Sequence, residues 1–142
     1  MGGASGPLYG TAFMKAAAAV RDKKELDIND FSLALNAAIE GVKMRGHSTR
    51  GEKTMLDAMI PSLDALNTSI ANGSDTATCL SDAVGAAEDG VYYTKTIVAS
   101  KGRASYLGVR SIGHEDPGAA SYKIILETIA NEYNEYKEQK EN

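Results

Sequence analysis

Three glycine-bearing corners, at residues 1–7, 44–53 and 100–118, interrupt a chain whose apolar residues otherwise recur with the spacing of α-helices. No window of strict alternation bounded by turn residues competes with that pattern, so the sequence predicts an all-α fold. The expected architecture is an antiparallel helical bundle or barrel with about five main helices. A first helix is expected over 6–23, with Ser5 as N-cap and Pro7 in the first turn, where a missing N–H matters least. The second begins near Asn29 or Asp30, carries Phe31, Leu35, Ala38, Ile39 and Val42 on one stripe, and stops around Gly46. The third spans 53–70, with Met55, Met59, Leu63 and Leu66 facing inward and a kink at Pro61. Ser74 or Asp75 caps a fourth helix reaching about Ala99. The fifth runs from Pro117 to about Tyr136 and carries Ile124, Ile125, Leu126 and Ile129, leaving a polar tail over 137–142 that is expected to fray.

In an antiparallel bundle, alternate connections lie at the same end. The first corner precedes helix one, the second joins helices two and three, and the third precedes helix five. All three therefore share one rim, and a pocket at that end of the bundle is the natural result.

Composition narrows the function classes. A length of 142 residues suits one domain, 1–142, with a real core. The absence of Trp together with abundant alanine favours close-packed helices. A net charge of −4 gives no electrostatic footprint for nucleic acid, so basic residues act locally if they act at all. The single cysteine, Cys79, excludes an internal disulfide and fits a reducing, cytoplasmic setting, and its apolar flank marks it as a core thiol. The longest apolar run, 16–20, is too short to span a bilayer, so no membrane association is expected.

The third corner is the densest in chemistry. Gly102, Gly108 and Gly113, with Arg103, Arg110, His114 and the Asp116-Pro117-Gly118 turn, suggest a backbone shaped around a ligand. Asp116, Pro117 and Gly118 read as an N-cap, a first-turn proline and a permissive residue, and the same helix start would present N–H groups to an anion. The planar fork of Arg103 suits phosphate oxygens. Gly2-Gly3-Ala4-Ser5-Gly6 reads either as a flexible end or as side-chain-free backbone that a phosphate can approach, with Ser5 donating a further hydrogen bond. It is not a Walker A loop, because no lysine follows at the required spacing. The plainer readings are that Met55 is core, that Arg45 and Lys53 are solvated, and that Asp22, Asp27 and Asp30 form a solvated link and not a metal site. His114 has no nearby Cys or His to complete a metal site.

Taken together, Gly2-Gly3-Ala4-Ser5-Gly6-Pro7-Leu8-Tyr9-Gly10-Thr11, Gly51-Glu-Lys-Thr-Met-Leu-Asp57 and the stretch from Gly102 to Gly118 closely resemble the nucleotide-binding L subunit of dihydroxyacetone kinase. The resemblance runs in order through nearly the whole chain. It implies an antiparallel helical barrel with ADP or ATP held at one end, and nucleotide contacts at Ala4, Ser5, Gly46, Met55, Arg103, Asp116, Pro117 and Gly118. It also implies phosphoryl transfer to dihydroxyacetone on a separate K subunit, with the nucleotide recharged by a phosphoryl-carrying M subunit in some versions and ATP as donor in others. Members of that family hold two Mg2+ through an aspartate cluster upstream of the Gly-Gly-Ala-Ser-Gly loop. This sequence begins at the loop, so the resemblance implies a C-terminal portion without metal ligands, inactive alone, with an apolar strip left uncovered that invites homo-oligomerisation. Two alternatives stay open: a non-catalytic nucleotide-binding or assembly module, and a kinase-like domain serving another acceptor such as a fatty acid.

Overall fold

The structure, a computed structural model, describes residues 11, 12, 14–16, 18, 19, 26–100 and 103–141, with backbone alone at 103, 104, 140 and 141. Helix α1 comprises the described residues within 11–19. It is followed by α2 (Ile28–Gly46), α3 (Leu56–Ala71), α4 (Thr76–Thr94), a 3-10 segment (Arg103–Ser111) and α5 (Pro117–Glu141). No strand occurs among the described residues, in agreement with the helical period of the sequence.

Helix α2 starts slightly earlier than expected because two aspartates cap it reciprocally. Asp30 N–H donates to Asp27 Oδ1 at 2.9 Å, and Asp27 N–H donates to Asp30 Oδ2 at 3.1 Å. Leu35, Ala38, Ile39 and Val42 are buried, and Phe31 packs at the edge of the same core. The helix stops at Gly46, with Lys43 and Arg45 in the last turn, where positive charge favours the carbonyl end. The left-handed residue that closes it is His47 (φ 49°, ψ 43°), one position after the glycine.

The closest helix pairing is α3 with α4. Met59, Leu63 and Leu66 face inward as expected, and Cys79 is fully buried in the same core. Opposite them, α4 presents the small residues Ala83, Ala87 and Gly90. Pro61 lies inside α3 and has no N–H to give the Asp57 carbonyl four residues earlier. Gly90 sits over that same carbonyl: a Cβ placed there would stand 2.0 Å from the Asp57 oxygen and 2.9 Å from Ala58 Cα. Proline on one helix and glycine on the other thus let the two backbones meet.

Three helix boundaries differ from expectation. Helix α3 begins at Leu56 and not at 53, because Lys53 lies at φ 61° in the preceding corner. Helix α4 ends at Thr94 and not near Ala99, because its last carbonyls are claimed from outside the helix, as described below. Helix α5 continues to Glu141, past the expected end near Tyr136. Its buried stripe is Ala119, Tyr122, Leu126 and Ala130, and the Tyr122 hydroxyl lies 2.7 Å from Ser62 Oγ of α3. Of the apolar residues Ile124, Ile125, Leu126 and Ile129 that the helix carries, Leu126 is buried, while the three isoleucines are exposed. Consecutive apolar residues on a helix cannot all face one side. Ile125 and Ile129 instead line an apolar cleft of about 160 Å³ with Ala12, Phe31, Leu35 and Met59, between α1, α2 and α5.

Replacing Gly90 with alanine is expected to cost about 3 kcal/mol in urea denaturation, at the upper end for overpacking, since the added methyl meets backbone. Gly85 of the same helix has nothing within 4 Å of its Cβ position. There the same substitution should stabilise by about 0.5–1 kcal/mol through helix propensity.

Candidate functional site at the rim of the bundle

The end of α2, the start of α3, the end of α4 and the start of α5 come together at one rim. Lys53, just before α3, draws three of these stretches inward. Its Nζ donates to the carbonyls of Thr94 at 2.7 Å, Ser111 at 2.5 Å and His114, with that of Ile97 at 3.4 Å. At the other side of the rim, a Cβ at Gly41 would lie 2.7 Å from Lys15 Cγ and 3.3 Å from Thr11 Cγ2, so the residue-11 end of α1 packs beside the last turns of α2. The second and third corners therefore share an end, as the parity of the connections predicts. The first corner, with Ala4 and Ser5, lies outside the described residues.

The sequence reading of Lys53 as solvated is overturned: the residue is 4% exposed. Its ammonium has three N–H donors and spends them on carbonyls, including one at the end of α4, where the helix dipole is negative. Burial lowers its pKa from the ordinary value, and the nearby charge of Asp116 opposes that shift. The corner that aims Lys53 is folded by Asp57, which is fully buried. Asp57 Oδ1 accepts from Gly51 N–H at 2.6 Å and Oδ2 accepts from Thr54 N–H at 3.1 Å. Gly51 lies at φ 94°, a value natural for glycine, whereas Lys53 at φ 61° is a strained position for a residue with a Cβ.

Asp116 closes the start of α5. Its N–H donates to Thr94 Oγ1 at 2.9 Å, and its Oδ2 accepts from Ala119 N–H at 2.8 Å. The Gly118 amide also bonds this carboxylate, Ala120 N–H reaches the Asp116 carbonyl at 3.0 Å, and Pro117 has no N–H. The donors that the sequence reading left for an anion are thus taken from within the chain. Burial pushes the Asp116 carboxyl above its ordinary value of 3.8. The bond from Ala119 N–H opposes that rise, the charge of Asp57 adds to it, and the Gly118 amide and Lys53 oppose it.

Three of the expected site residues converge at Gly118. A Cβ there would stand 3.1 Å from Asp116 Oδ2 and 3.5 and 3.6 Å from Met55 Cβ and Cε, so Met55, at the start of α3, packs against Gly118 in the first turn of α5. Pro117, between Asp116 and Gly118 in the chain, is exposed. Met55 itself is buried. Gly46 ends α2 on the same rim, nine positions before Met55 in the chain. Arg103 opens the 3-10 segment, where its backbone alone is described. Arg110 is exposed, and its Nε donates at 3.4 Å to Leu107 of its own segment. His114 contributes its carbonyl to Lys53, and its side chain lies at the surface. Sequence reasoning missed Lys53, Asp57, Thr94 and Ser111. Only Asp57 had a readable signal, an aspartate three residues after Thr54 at a helix start. The carboxylates of Asp57 and Asp116 are spent on N–H donors, and among the described residues no group of three acidic, His or Cys side chains could hold a metal. The described residues do not fit a magnesium site.

Residues 1–131 match the DAK2 domain. The chain belongs to the DAK2 domain family. It is 40% identical over 130 residues to the ADP-binding subunit DhaL of the PEP-dependent dihydroxyacetone kinase of Escherichia coli (strain K12), covering 92% of this chain and 62% of that protein. It is 43% identical over 129 residues to the corresponding subunit of dihydroxyacetone kinase 1 of Listeria innocua, covering 91% and 59%. The human triokinase/FMN cyclase is 35% identical over 129 residues, covering 91% of this chain and 22% of that protein. The chain thus spans about 60% of the length of the bacterial relatives it matches.

The raised pKa of Asp116 gives this DAK2 chain a signature. Below pH 3.8 the carboxyl is neutral in both folded and unfolded states. As pH rises through the raised folded value, the unfolded chain ionises more readily, so the native protein loses stability relative to Asp116→Asn. Urea denaturation of both proteins from about pH 4 to about pH 8 should show the gap moving in favour of the asparagine variant. A gap independent of pH would mean that burial does not disfavour the carboxylate.

Proposed function

We propose that the chain binds ADP or ATP at this rim, as the nucleotide-binding part of a dihydroxyacetone kinase. The carrying observation is the packing of Met55, at the start of α3, against Gly118 in the first turn of α5, with the Asp116 carboxylate beside Gly118; the resemblance to nucleotide-binding L subunits puts nucleotide contacts at these residues. The names of the bacterial relatives, ADP-binding subunits of dihydroxyacetone kinases, support the same reading. Because the first turn of α5 is satisfied by Asp116, that part of the rim offers shape and not positive potential. The base and sugar belong against Gly46, Met55 and Gly118, and the phosphates toward Arg103, Ala4 and Ser5. Arg103 is suited to bridging phosphate oxygens through its planar fork.

In this reading the phosphoryl group passes to dihydroxyacetone on a K subunit, and the nucleotide is recharged by an M subunit or exchanged for ATP. A divalent metal, if held by groups outside the described residues, would supply neutralisation of the charge that develops in phosphoryl transfer. In this reading the residues of the rim hold and orient the nucleotide. The setting is cytoplasmic, and no helix among the described residues is long and apolar enough to cross a membrane. The net charge of −4 argues against nucleic acid as a partner. A second reading, self-association, is favoured by the apolar cleft between α1, α2 and α5.

Calorimetric titration of ADP into the chain, with and without Mg2+, tests the proposal. Arg103→Ala should weaken binding about tenfold or more, the loss expected for a charge-assisted hydrogen bond. Failure of the native chain to bind ADP under either condition would sink the nucleotide reading.

A further inference from the structure

The segment between α4 and α5 has little apolar anchorage. Tyr106 is 87% exposed and Val109 75%, and Leu107 and Ile112 are also exposed, whereas Ala99 is one of its few buried apolar residues. Its placement rests on polar bonds. Ser111 Oγ donates to the Gly108 carbonyl at 2.7 Å and accepts from Ala99 N–H at 3.0 Å, which folds the segment on itself. Gly113 N–H reaches the Lys95 carbonyl at 2.7 Å, and Asp116 N–H reaches Thr94 Oγ1 at 2.9 Å. These bonds tie the segment to the end of α4. The Lys53 side chain joins it to the start of α3, through the carbonyls of Ser111 and His114 as well as that of Thr94.

We propose that Lys53 is a positioning residue of the nucleotide site: by gathering the carbonyls of Thr94, Ser111 and His114, it fixes the Arg103-bearing segment and the first turn of α5 against Met55. This rests on the reading of the rim as a nucleotide site. The acting group is the ammonium of a residue that is 4% exposed, at the meeting point of α4, the 3-10 segment and the approach to α5. It acts through backbone, since its three donors are spent on carbonyls. A lysine suits the position because a compact ammonium can send three N–H bonds in three directions. The flat fork of arginine holds its donors in one plane and cannot. The strained φ of 61° at Lys53 is consistent with a backbone held in place by what the side chain grips.

The test uses the full chain, with ADP calorimetry and amide hydrogen exchange on the native protein, Lys53→Met, Lys53→Arg and Lys53→Ala. In Lys53→Met, exchange over 94–118 should rise about tenfold or more while the α3–α4 core keeps its protection. ADP affinity should fall about tenfold or more, as expected for losing charge-assisted bonds. Lys53→Arg should resemble Lys53→Met despite keeping the charge. Propylammonium added to Lys53→Ala should restore exchange protection and ADP affinity together, a recovery that lost packing alone would not give. The proposal is overturned if Lys53→Met binds ADP as the native chain does, if Lys53→Arg retains full affinity, or if propylammonium restores protection without affinity. It is equally overturned if all three variants unfold, since Lys53 would then be a determinant of the whole fold. If the native chain does not bind ADP, the nucleotide reading falls and takes this inference with it, an outcome distinct from the others because no variant is involved.

Discussion

Asp57 is the residue through which the rest of the rim is organised, and it acts with two different groups. Its carbonyl lacks a helical donor because Pro61 has no N–H, and the space above that carbonyl is where Gly90 brings α4 onto α3. Its carboxylate takes the amides of Gly51 and Thr54 and so folds the corner before the helix. That corner carries Lys53. The depth at which α4 sits against α3 therefore sets where the Thr94 carbonyl falls, and the folded corner sets where the Lys53 ammonium falls. The two meet at 2.7 Å. A change at Gly90 would act on the rim as well as on the core, because it would displace the end of α4 from the lysine that closes it.

Burying an ammonium is costly unless its donors are satisfied and negative potential surrounds it. Carbonyls from three stretches supply the first, and the end of α4 and the charge of Asp116 supply the second. Asp116 is in the converse position. Burial and the neighbouring Asp57 raise its pKa, while N–H bonds from Ala119 and Gly118 and the charge of Lys53 hold it down. Removing either charge leaves the other less well compensated. Stability at this rim is consequently tied to a small set of polar groups, whereas elsewhere in the bundle it rests on the apolar contacts of Ile39, Leu56, Leu66 and Leu126.

What could be read from the sequence follows from whether a signal is local. The stripe on α2, the inward set Met59, Leu63 and Leu66, the caps Asp75 and Asp116 and the buried Cys79 all follow from periodicity or side-chain chemistry within a few residues. The shared end of the second and third corners also followed, because counting connections in an antiparallel bundle needs no side-chain detail. Lys53 could not be read in this way. Its burial depends on carbonyls 41 to 61 positions later in the chain, and a lysine at a glycine corner otherwise looks solvated. The early end of α4 has the same long-range cause. The inward face of α5 was not legible for a different reason: hydrophobicity alone does not say which of several adjacent apolar residues faces the core, and the small residues Ala119 and Ala130 lie there with Leu126.

Asp116 shows how a correctly read motif can still give the wrong electrostatics. Its N-cap role was legible, but an N-cap consumes the donors that would attract an anion, and here the Asp116 carboxylate and carbonyl take the amides of Gly118, Ala119 and Ala120. A carboxylate at that spot also repels phosphate. In the proposed nucleotide site, within a chain of net charge −4, the phosphate end would then face away from the first turn of α5 and toward local positive charge. Arg103, at the start of the 3-10 segment, is the residue in the third corner best suited to supply it, and this is why the placement of that segment, and hence Lys53, weighs on the site more than the helix start does.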